Sequence, residues 1–360
     1  MALVPMQRLA RYLQRELSEL YSPGEIVALS RLLLHELRDG LPTMVATGKC
    51  NHLSATYRRA ASFFMNEGGG DTPFFRPESV ACESFIMDDG GRDTPFWDVG
   101  KVAAVVEVVE RLKTGEPMQY IVGRTEFHGL MLKVTPDVLI PRPETEELVE
   151  WVLDELPPGK LKLLDVGTGS GCIAITLGKR RPESEVYACD VSERAIAVAR
   201  RNAHENGVNV HFFVQDILTP LAVSPSISNP VASGITGSTT CKGASPAVGS
   251  TPAFEDGSFH AVISNPPYVL ETEREQMEAN VLHFEPSEAL FVPDSTPLLF
   301  YERIAHLSLG LLGEGGLLFF EVNRNKGEEV RAMLYERGYR DVELRSDMAG
   351  NPRMVRAIKQ

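Results

Sequence analysis

Apolar positions recur with a helical period at the start of the chain, where Leu9, Leu13, Leu17 and Leu20, with Tyr12, form one stripe. A second helix is predicted from "SPGEIVALSRLLLHEL", with Ser22 as N-cap, Pro23 in the first turn and Glu25 as the returning acid of a capping box. From about Leu41 to Asp98 the period is lost and glycine accumulates, so 41–98 reads as an irregular insertion. Its repeated Asp-Thr-Pro-Phe, at 71–74 and 93–96, is a turn-forming tetrapeptide inside glycine-rich chain. The helical period resumes in "VGKVAAVVEVVERLKTG", where Val102, Val105, Val106, Val109 and Leu112 share a face and Gly115 closes the helix. Two short β-rich pieces are expected around "YIVGRTEFHGLMLKV". The stretch "IPRPETEELVEWVLDEL" then has Pro143 at a helix start and Leu148, Val149, Val152 and Leu156 on a buried face.

From Lys160 onward strand and helix patterns alternate. "KLLDV", "SEVYACD", "VHFFVQD", "FHAVISN" and "GGLLFFEV" are the strands, with helices predicted at "CIAITLGKR", "SERAIAVARRNAHENG" and "PLLFYERIAHLSLGLL". Such alternation gives a parallel sheet covered on both faces. The last two segments, "YRDVELRSD" and "RMVRAIKQ" around "MAGNP", read as an antiparallel hairpin, which brings the sheet to seven strands. Residues 221–258 are rich in Ser, Gly, Pro, Thr and Ala and are expected to be a surface insertion, because they cannot bury enough side chain to order themselves. The predicted organisation is therefore a helical domain at 1–115, a β-rich connector at 116–141 and a doubly wound, mostly parallel α/β domain at 142–360.

Composition narrows this picture rather than changing it. A chain of 360 residues with 43% apolar and 24% charged residues has the make-up of a soluble protein with a substantial core. No apolar run approaches a membrane span, and "MALVPMQRLARYLQREL" becomes charged too soon for a secretory signal, so a cytoplasmic location is expected. The net charge of −13 argues against broad binding to nucleic-acid phosphates. Cys50, Cys82, Cys172, Cys189 and Cys241 are odd in number, scattered and without a C-x-x-C pair, which suits free thiols. His128 and His283 have no second ligand at metal spacing, so no metal site is expected.

The chemistry is concentrated at strand ends. "LLDVGTGSG" places Asp165, Gly167, Thr168, Gly169, Ser170 and Gly171 between a strand and a helix, where glycines allow a tight turn and close approach of a ligand. The spacing is G-x-G-x-G rather than the dinucleotide G-x-G-x-x-G. Asp190 ends the next strand 25 residues later and Asp216 the one after, so all three acids are expected to reach one cleft beyond the sheet. A carboxylate in the second position suits a ribose diol. One in the third suits an adenine amino group, with Ile217 as an apolar wall. Either Asp on its own is equally well read as a helix or turn cap. Finally, "ISNPPYV" ends a strand in a stiff bend, Asn265-Pro266-Pro267-Tyr268, whose carbonyls no following helix absorbs.

Taken together, Asp165-x-Gly167-x-Gly169-x-Gly171, Asp190, Asp216 and Asn265-Pro266-Pro267-Tyr268 resemble the S-adenosylmethionine-dependent class I methyltransferases that alkylate amide or exocyclic amino nitrogens. "GEPMQYIVGRTEFHGLMLKVTPDVLIPRPETEELVEWVL", "HFEPSEALFV" and "GNPRMVRA" narrow the resemblance to the peptide chain release factor glutamine methyltransferases of the HemK or PrmC type. It implies a Rossmann-like sheet with S-adenosylmethionine held by Gly167, Thr168, Gly169, Ser170, Gly171, Asp190, Asp216, Ile217 and Asn265. It also implies class I release factors as the protein substrate, gripped by the helical domain, with the glutamine of their Gly-Gly-Gln tripeptide held by Asn265, Pro266, Pro267 and Tyr268. In this reading the Asn265 side-chain oxygen and the Pro266 carbonyl accept the two amide N–H groups, and Tyr268 packs on the amide plane. Rivals are a ribosomal-protein glutamine methyltransferase, a DNA adenine N6-methyltransferase and a noncatalytic adenosyl-ligand binder.

Overall fold

The computed structural model describes residues 3–39, 56, 59, 60, 63, 64, 99–219, 223, 224, 252 and 254–360. The chain forms two compact units, Met1–Gly123 and Arg124–Gln360.

The first unit is built on α1 (Leu3–Leu17), α2 (Pro23–Asp39), α3 (Val99–Lys113) and α4 (Met118–Val122). The predicted capping box is present: the Ser22 N–H donates to Glu25 Oε2 at 2.7 Å and the Glu25 N–H to Ser22 Oγ at 3.4 Å. Leu9, Leu13, Leu17, Leu33, Val102, Val105 and Val109 are buried together. Two findings correct the sequence reading. Ala60 and Phe64, inside the stretch taken as an irregular insertion, are buried in this core, and the Phe64 ring lies 4.9 Å from that of Tyr12. The rest of 41–98, with both Asp-Thr-Pro-Phe copies, lies outside the described residues. The second correction concerns Tyr120–Val122, which have the residue types of a strand but form a helical turn between Pro117 and Gly123 (φ 73°). Met118, Ile121 and Val122 gain burial that way, and so short an apolar run has no period to decide between the two states. The stretch read as a connector thus divides at Gly123.

The second unit opens with the hairpin of β1 (Arg124–Phe127) and β2 (Leu130–Lys133), whose turn has positive φ at His128 and Gly129. There follow α5 (Pro143–Glu155), β3 (Lys162–Val166), α6 (Cys172–Arg180), β4 (Glu185–Asp190), α7 (Glu193–Asn206) and β5 (His211–Val214). Two short strands, β6 (Val223–Ser224) and β7 (Phe254–Glu255), pair in parallel ahead of β8 (Phe259–Ser264). Beyond β8 come β9 (Val269–Leu270), α8 (Ala279–Phe284), β10 (Phe291–Val292), α9 (Leu299–Leu311), β11 (Leu312–Glu321), α10 (Gly327–Glu336), β12 (Tyr339–Ser346) and β13 (Pro352–Lys359).

Seven strands form one sheet in the order β12-β13-β11-β8-β3-β4-β5, parallel from β11 to β5, with β13 antiparallel to both β11 and β12. This is the expected doubly wound sheet with its terminal hairpin. Alternate residues face opposite layers: Leu164, Val262 and Phe320 enter one core, and Leu163, Ile263 and Phe319 the other. Strand order reverses between β3 and β8, so the crevice for a ligand lies beyond their carboxyl ends. The glycine turn follows β3 and the proline bend follows β8.

The stretch 221–258 is not surface chain throughout. Phe254 is buried against Tyr187, Phe213 and Phe259, with the Lys162 ammonium 5.3 Å from its ring centre. A large aromatic next to the start of β8 has a core site within reach, whatever the composition upstream. Residues 225–251 lie outside the described residues. Among the described residues no helix is long and apolar enough to cross a membrane.

Candidate active site

The glycine turn is held by its own backbone. The N–H groups of Gly167 and Thr168 both reach the Cys189 carbonyl, at 2.9 and 3.0 Å, and the Gly171 N–H reaches the Thr168 carbonyl at 2.8 Å. Gly167, Gly169 and Gly171 have φ of 75°, 53° and 85°, the left-handed region that other residues avoid. At Gly171 a Cβ would also come within 2.8 Å of Ile175 Cδ1 and 3.1 Å of Ala199 Cβ. The side chains of Thr168 and Ser170 are buried. The Thr168 hydroxyl donates to Asp165 Oδ2 at 2.6 Å. The Ser170 carbonyl accepts from Asn202 Nδ2 at 2.9 Å.

Asp165 is fully buried, and its Oδ2 also accepts the Ala174 N–H at 3.3 Å. Burial pushes its carboxyl up to about 7, and nearby Asp190 adds to the rise. The expectation that Asp165 reaches the cleft with the other two acids is therefore not met. Its position within β3 directs it into the domain, where it buttresses the turn and the start of α6.

Asp190 stands closer to the expectation. Its Oδ2 accepts the Gly169 N–H and its Oδ1 the Ser192 N–H, each at 2.9 Å, and burial raises its carboxyl above the usual range. The Gln215 N–H donates to the Asp190 carbonyl at 2.9 Å, which sets the ends of β4 and β5 side by side. Asp216 is exposed and its Oδ1 caps the Leu218 N–H at 2.9 Å. Half-buried Ile217 packs on the sheet core. Both acids cap turns, and Asp190 is tied by its side chain to the glycine turn. Since the loop N–H groups are satisfied by Cys189 and Asp190, with two carboxylates close by, the turn has little to offer a pyrophosphate and suits a neutral or cationic ligand.

The proline bend is held in a different way, by side chains from distant parts of the chain. Ser264 Oγ donates to the Val166 carbonyl at 2.7 Å, joining the ends of β8 and β3. A Cβ at Gly167 would lie 4.0 Å from the Asn265 carbonyl oxygen, so the two loops are neighbours. Asn265 Nδ2 donates to Thr145 Oγ1 at 3.1 Å, and Thr145 Oγ1 donates to Glu321 Oε2 at 2.6 Å. The Tyr268 hydroxyl donates to the other Glu321 oxygen at 3.1 Å. Asn323 Nδ2 donates to the Tyr268 carbonyl at 3.1 Å and to Glu273 Oε2 at 2.9 Å.

Two acceptors of the bend remain. Among the described residues no hydrogen bond takes up Asn265 Oδ1 or the Pro266 carbonyl, and Asn265 Oδ1 is not buried. Pro267 and Tyr268 are half-buried. Burial raises the Glu321 carboxyl, the bonds from Thr145 and Tyr268 pull it back, and burial together with Glu321 pushes the Tyr268 phenol far up. The segment before α5 is pinned as well: buried Glu285 accepts from the Ile140 N–H at 3.2 Å and from Arg142 Nη2 at 2.6 Å. Among the described residues there is no cluster of groups able to hold a metal ion.

Glu321 and Asn323 are not marked by the sequence reading, and Thr145 only as part of the "PRPETE" segment that the resemblance puts at the border of the pocket. A signal existed for Glu321, the lone charge at the end of the apolar run "GGLLFFEV", and for Thr145, a hydroxyl between the acids of "RPETEE". Their spacing to Asn265 carried none.

Residues 145–231 match the family model of the methyltransferase small domain. Over 352 residues, 98% of this chain and 99% of the relative, the chain is 36% identical to the release factor glutamine methyltransferase of Bacteroides thetaiotaomicron. This chain belongs to the release factor glutamine methyltransferase family. The member from Flavobacterium psychrophilum is 38% identical across 69% of this chain and 78% of its own length. The Lactococcus lactis member is 36% identical across 70% and 80%. The resemblance read from the motifs is thereby borne out at the level of family.

Proposed function

We propose that this protein methylates the side-chain amide nitrogen of the glutamine in the Gly-Gly-Gln tripeptide of class I peptide chain release factors. Family membership supports a release factor as substrate and S-adenosylmethionine as methyl donor. The residues present fit that donor: the glycine turn has open space at Gly169, where an added Cβ meets nothing within 4 Å, and two acids end adjacent strands. Gly167, Thr168, Gly169, Ser170 and Gly171 would hold it by their main chain, Asp190 by its ribose, and Asp216 with Ile217 by its adenine, with Asn265 at the border. Bound there, it supplies a methyl group activated on a sulfonium.

The observation that carries the reading is the pair of unpartnered acceptors, Asn265 Oδ1 and the Pro266 carbonyl, on a rigid corner beside the glycine turn. A carboxamide nitrogen is a poor nucleophile because its lone pair is delocalised into the carbonyl. By accepting both N–H groups, the two oxygens orient the nitrogen and favour its pyramidal form, and their dipoles stabilise the positive charge that grows on it. The amide N–H becomes acidic only as the nitrogen is alkylated, so its proton can leave to water and no strong base is needed. Tyr268, anchored through its hydroxyl, fixes the floor of the corner. The helical unit is assigned to gripping the release factor.

The test is to incubate the protein with S-adenosylmethionine labelled in the methyl group and a class I release factor, then to locate the label by peptide mass spectrometry. Label on the Gly-Gly-Gln glutamine is expected. An unlabelled release factor would overturn the substrate assignment.

A further inference from the structure

We infer that Thr145 and Glu321 are positioning residues that fix which way round the Asn265 side-chain amide sits, so that its oxygen rather than its NH2 faces the substrate. This inference rests on the role given to Asn265 above.

The two ends of an asparagine amide have nearly the same shape, and only hydrogen bonding selects between them. A flipped Asn265 would meet the substrate NH2 with its own NH2. The selection here follows from counting hydrogens. Thr145 Oγ1 carries one hydrogen, and its 2.6 Å contact with Glu321 Oε2 is a short O–H···O bond to a group with no hydrogen of its own when ionised. On its other side Thr145 can then only accept, and what it accepts at 3.1 Å is an N–H of Asn265 Nδ2. Asn265 Oδ1 is thereby turned away, toward the crevice. The second Glu321 oxygen is occupied by the Tyr268 hydroxyl, so the same carboxylate sets both side chains of the corner.

Glu321 and Thr145 are buried, so water does not compete for these bonds. The logic also reverses cleanly. A protonated Glu321 can donate to Thr145, whose hydrogen is then free to pair with Asn265 Oδ1, and the amide inverts. The groups facing Glu321 are Thr145 and Glu144 from α5, Cys172 from α6, Tyr268 from the bend, Tyr301 from α9, whose hydroxyl donates to the Glu321 main-chain carbonyl, and Arg353 from β13. Arg353 favours the carboxylate, whereas Glu144 opposes it.

The experiment compares Thr145→Val, Thr145→Ser, Glu321→Gln, Asn265→Ala and the Thr145→Val/Asn265→Ala double variant, reading kcat, KM for S-adenosylmethionine and the pH profile of kcat. Thr145→Val is expected to lower kcat by up to about 100-fold with KM for the donor unchanged, the cost of misaligning a group at the reacting centre. Thr145→Ser keeps the hydroxyl and most of the rate. Added to Asn265→Ala, the valine lowers kcat no further, which a purely structural role would not give. Glu321→Gln is expected to lower kcat and to abolish its fall at acid pH, because the group that inverts the amide no longer titrates. If Thr145→Val does not fold, that pH profile decides. Thr145→Val at the wild-type rate, with Asn265→Ala inactive, overturns the inference and leaves the role of Asn265 standing, as does a Glu321→Gln enzyme with full kcat and an unchanged acid limb. Asn265→Ala at the wild-type rate overturns the role of Asn265 itself.

Discussion

The glycine turn after β3 and the proline bend after β8 lie side by side at the same edge of the sheet, yet they are held by opposite means. The turn is stabilised mainly through its main chain, by N–H groups bonded to the end of the adjacent strand β4, 21 residues away at Asp190, and by an acid at its root. Its shape depends on backbone conformations that only glycine adopts without strain. The bend depends on side chains that are remote in sequence: Thr145 lies 120 residues from Asn265, and Glu321 lies 53 from Tyr268. A loop that only has to present an edge can be shaped by main-chain bonds to the strand beside it. A loop that has to aim two oxygens at one nitrogen needs its orientation fixed from several directions.

The contrast can be broken first at Asp165. Its carboxyl lies near 7 in the folded chain against 3.8 ordinarily, so between those values the folded state binds the proton more tightly. Its contribution to stability is therefore fully present below about pH 4 and lost as pH rises through about 7, by an amount on the order of 4 kcal/mol. Asp165→Asn keeps an acceptor for Thr168 and should flatten that slope, as read from melting temperature across the pH range. An unchanged slope would remove Asp165 from the account of the turn.

Gly171→Ala should cost about 2–4 kcal/mol in urea unfolding, from a left-handed φ together with contact against Ile175 and Ala199. Tyr268→Phe removes a buried bond to Glu321 and should cost about 1.5–2 kcal/mol. Its kcat should fall less than on loss of Asn265, because Thr145 still holds Glu321. The mildest change is Gly169→Ala, with a left-handed φ but open space, at about 1 kcal/mol. If Gly169→Ala proved as damaging as Gly171→Ala, packing against α6 and α7 would not be what distinguishes the two glycines.

The same contrast explains what was legible in the sequence. The alternation of strands and helices, the capping box at Ser22 and both motifs were readable because each is written within a few neighbouring residues. The helical turn at Met118–Val122 and the buried Phe254 were not, since both are decided by core sites that the rest of the chain provides. Within the site, residue identities at the loops were legible but side-chain directions were not. Thr168 is drawn in by Asp165 beneath the turn, and Ser170 is buried beside it. The hydroxyl of Tyr268 has its partner at the end of β11, and no spacing rule connects Asn265 to a threonine in the first turn of α5.

The measurement that bears most directly on the central claim is the single-turnover rate of methyl transfer to a class I release factor by Asn265→Ala, taken beside its affinity for S-adenosylmethionine. A rate lowered by about 100-fold or more with near-normal affinity is expected if that side chain aims the glutamine amide. A rate equal to the wild type, at equal affinity, would contradict the account.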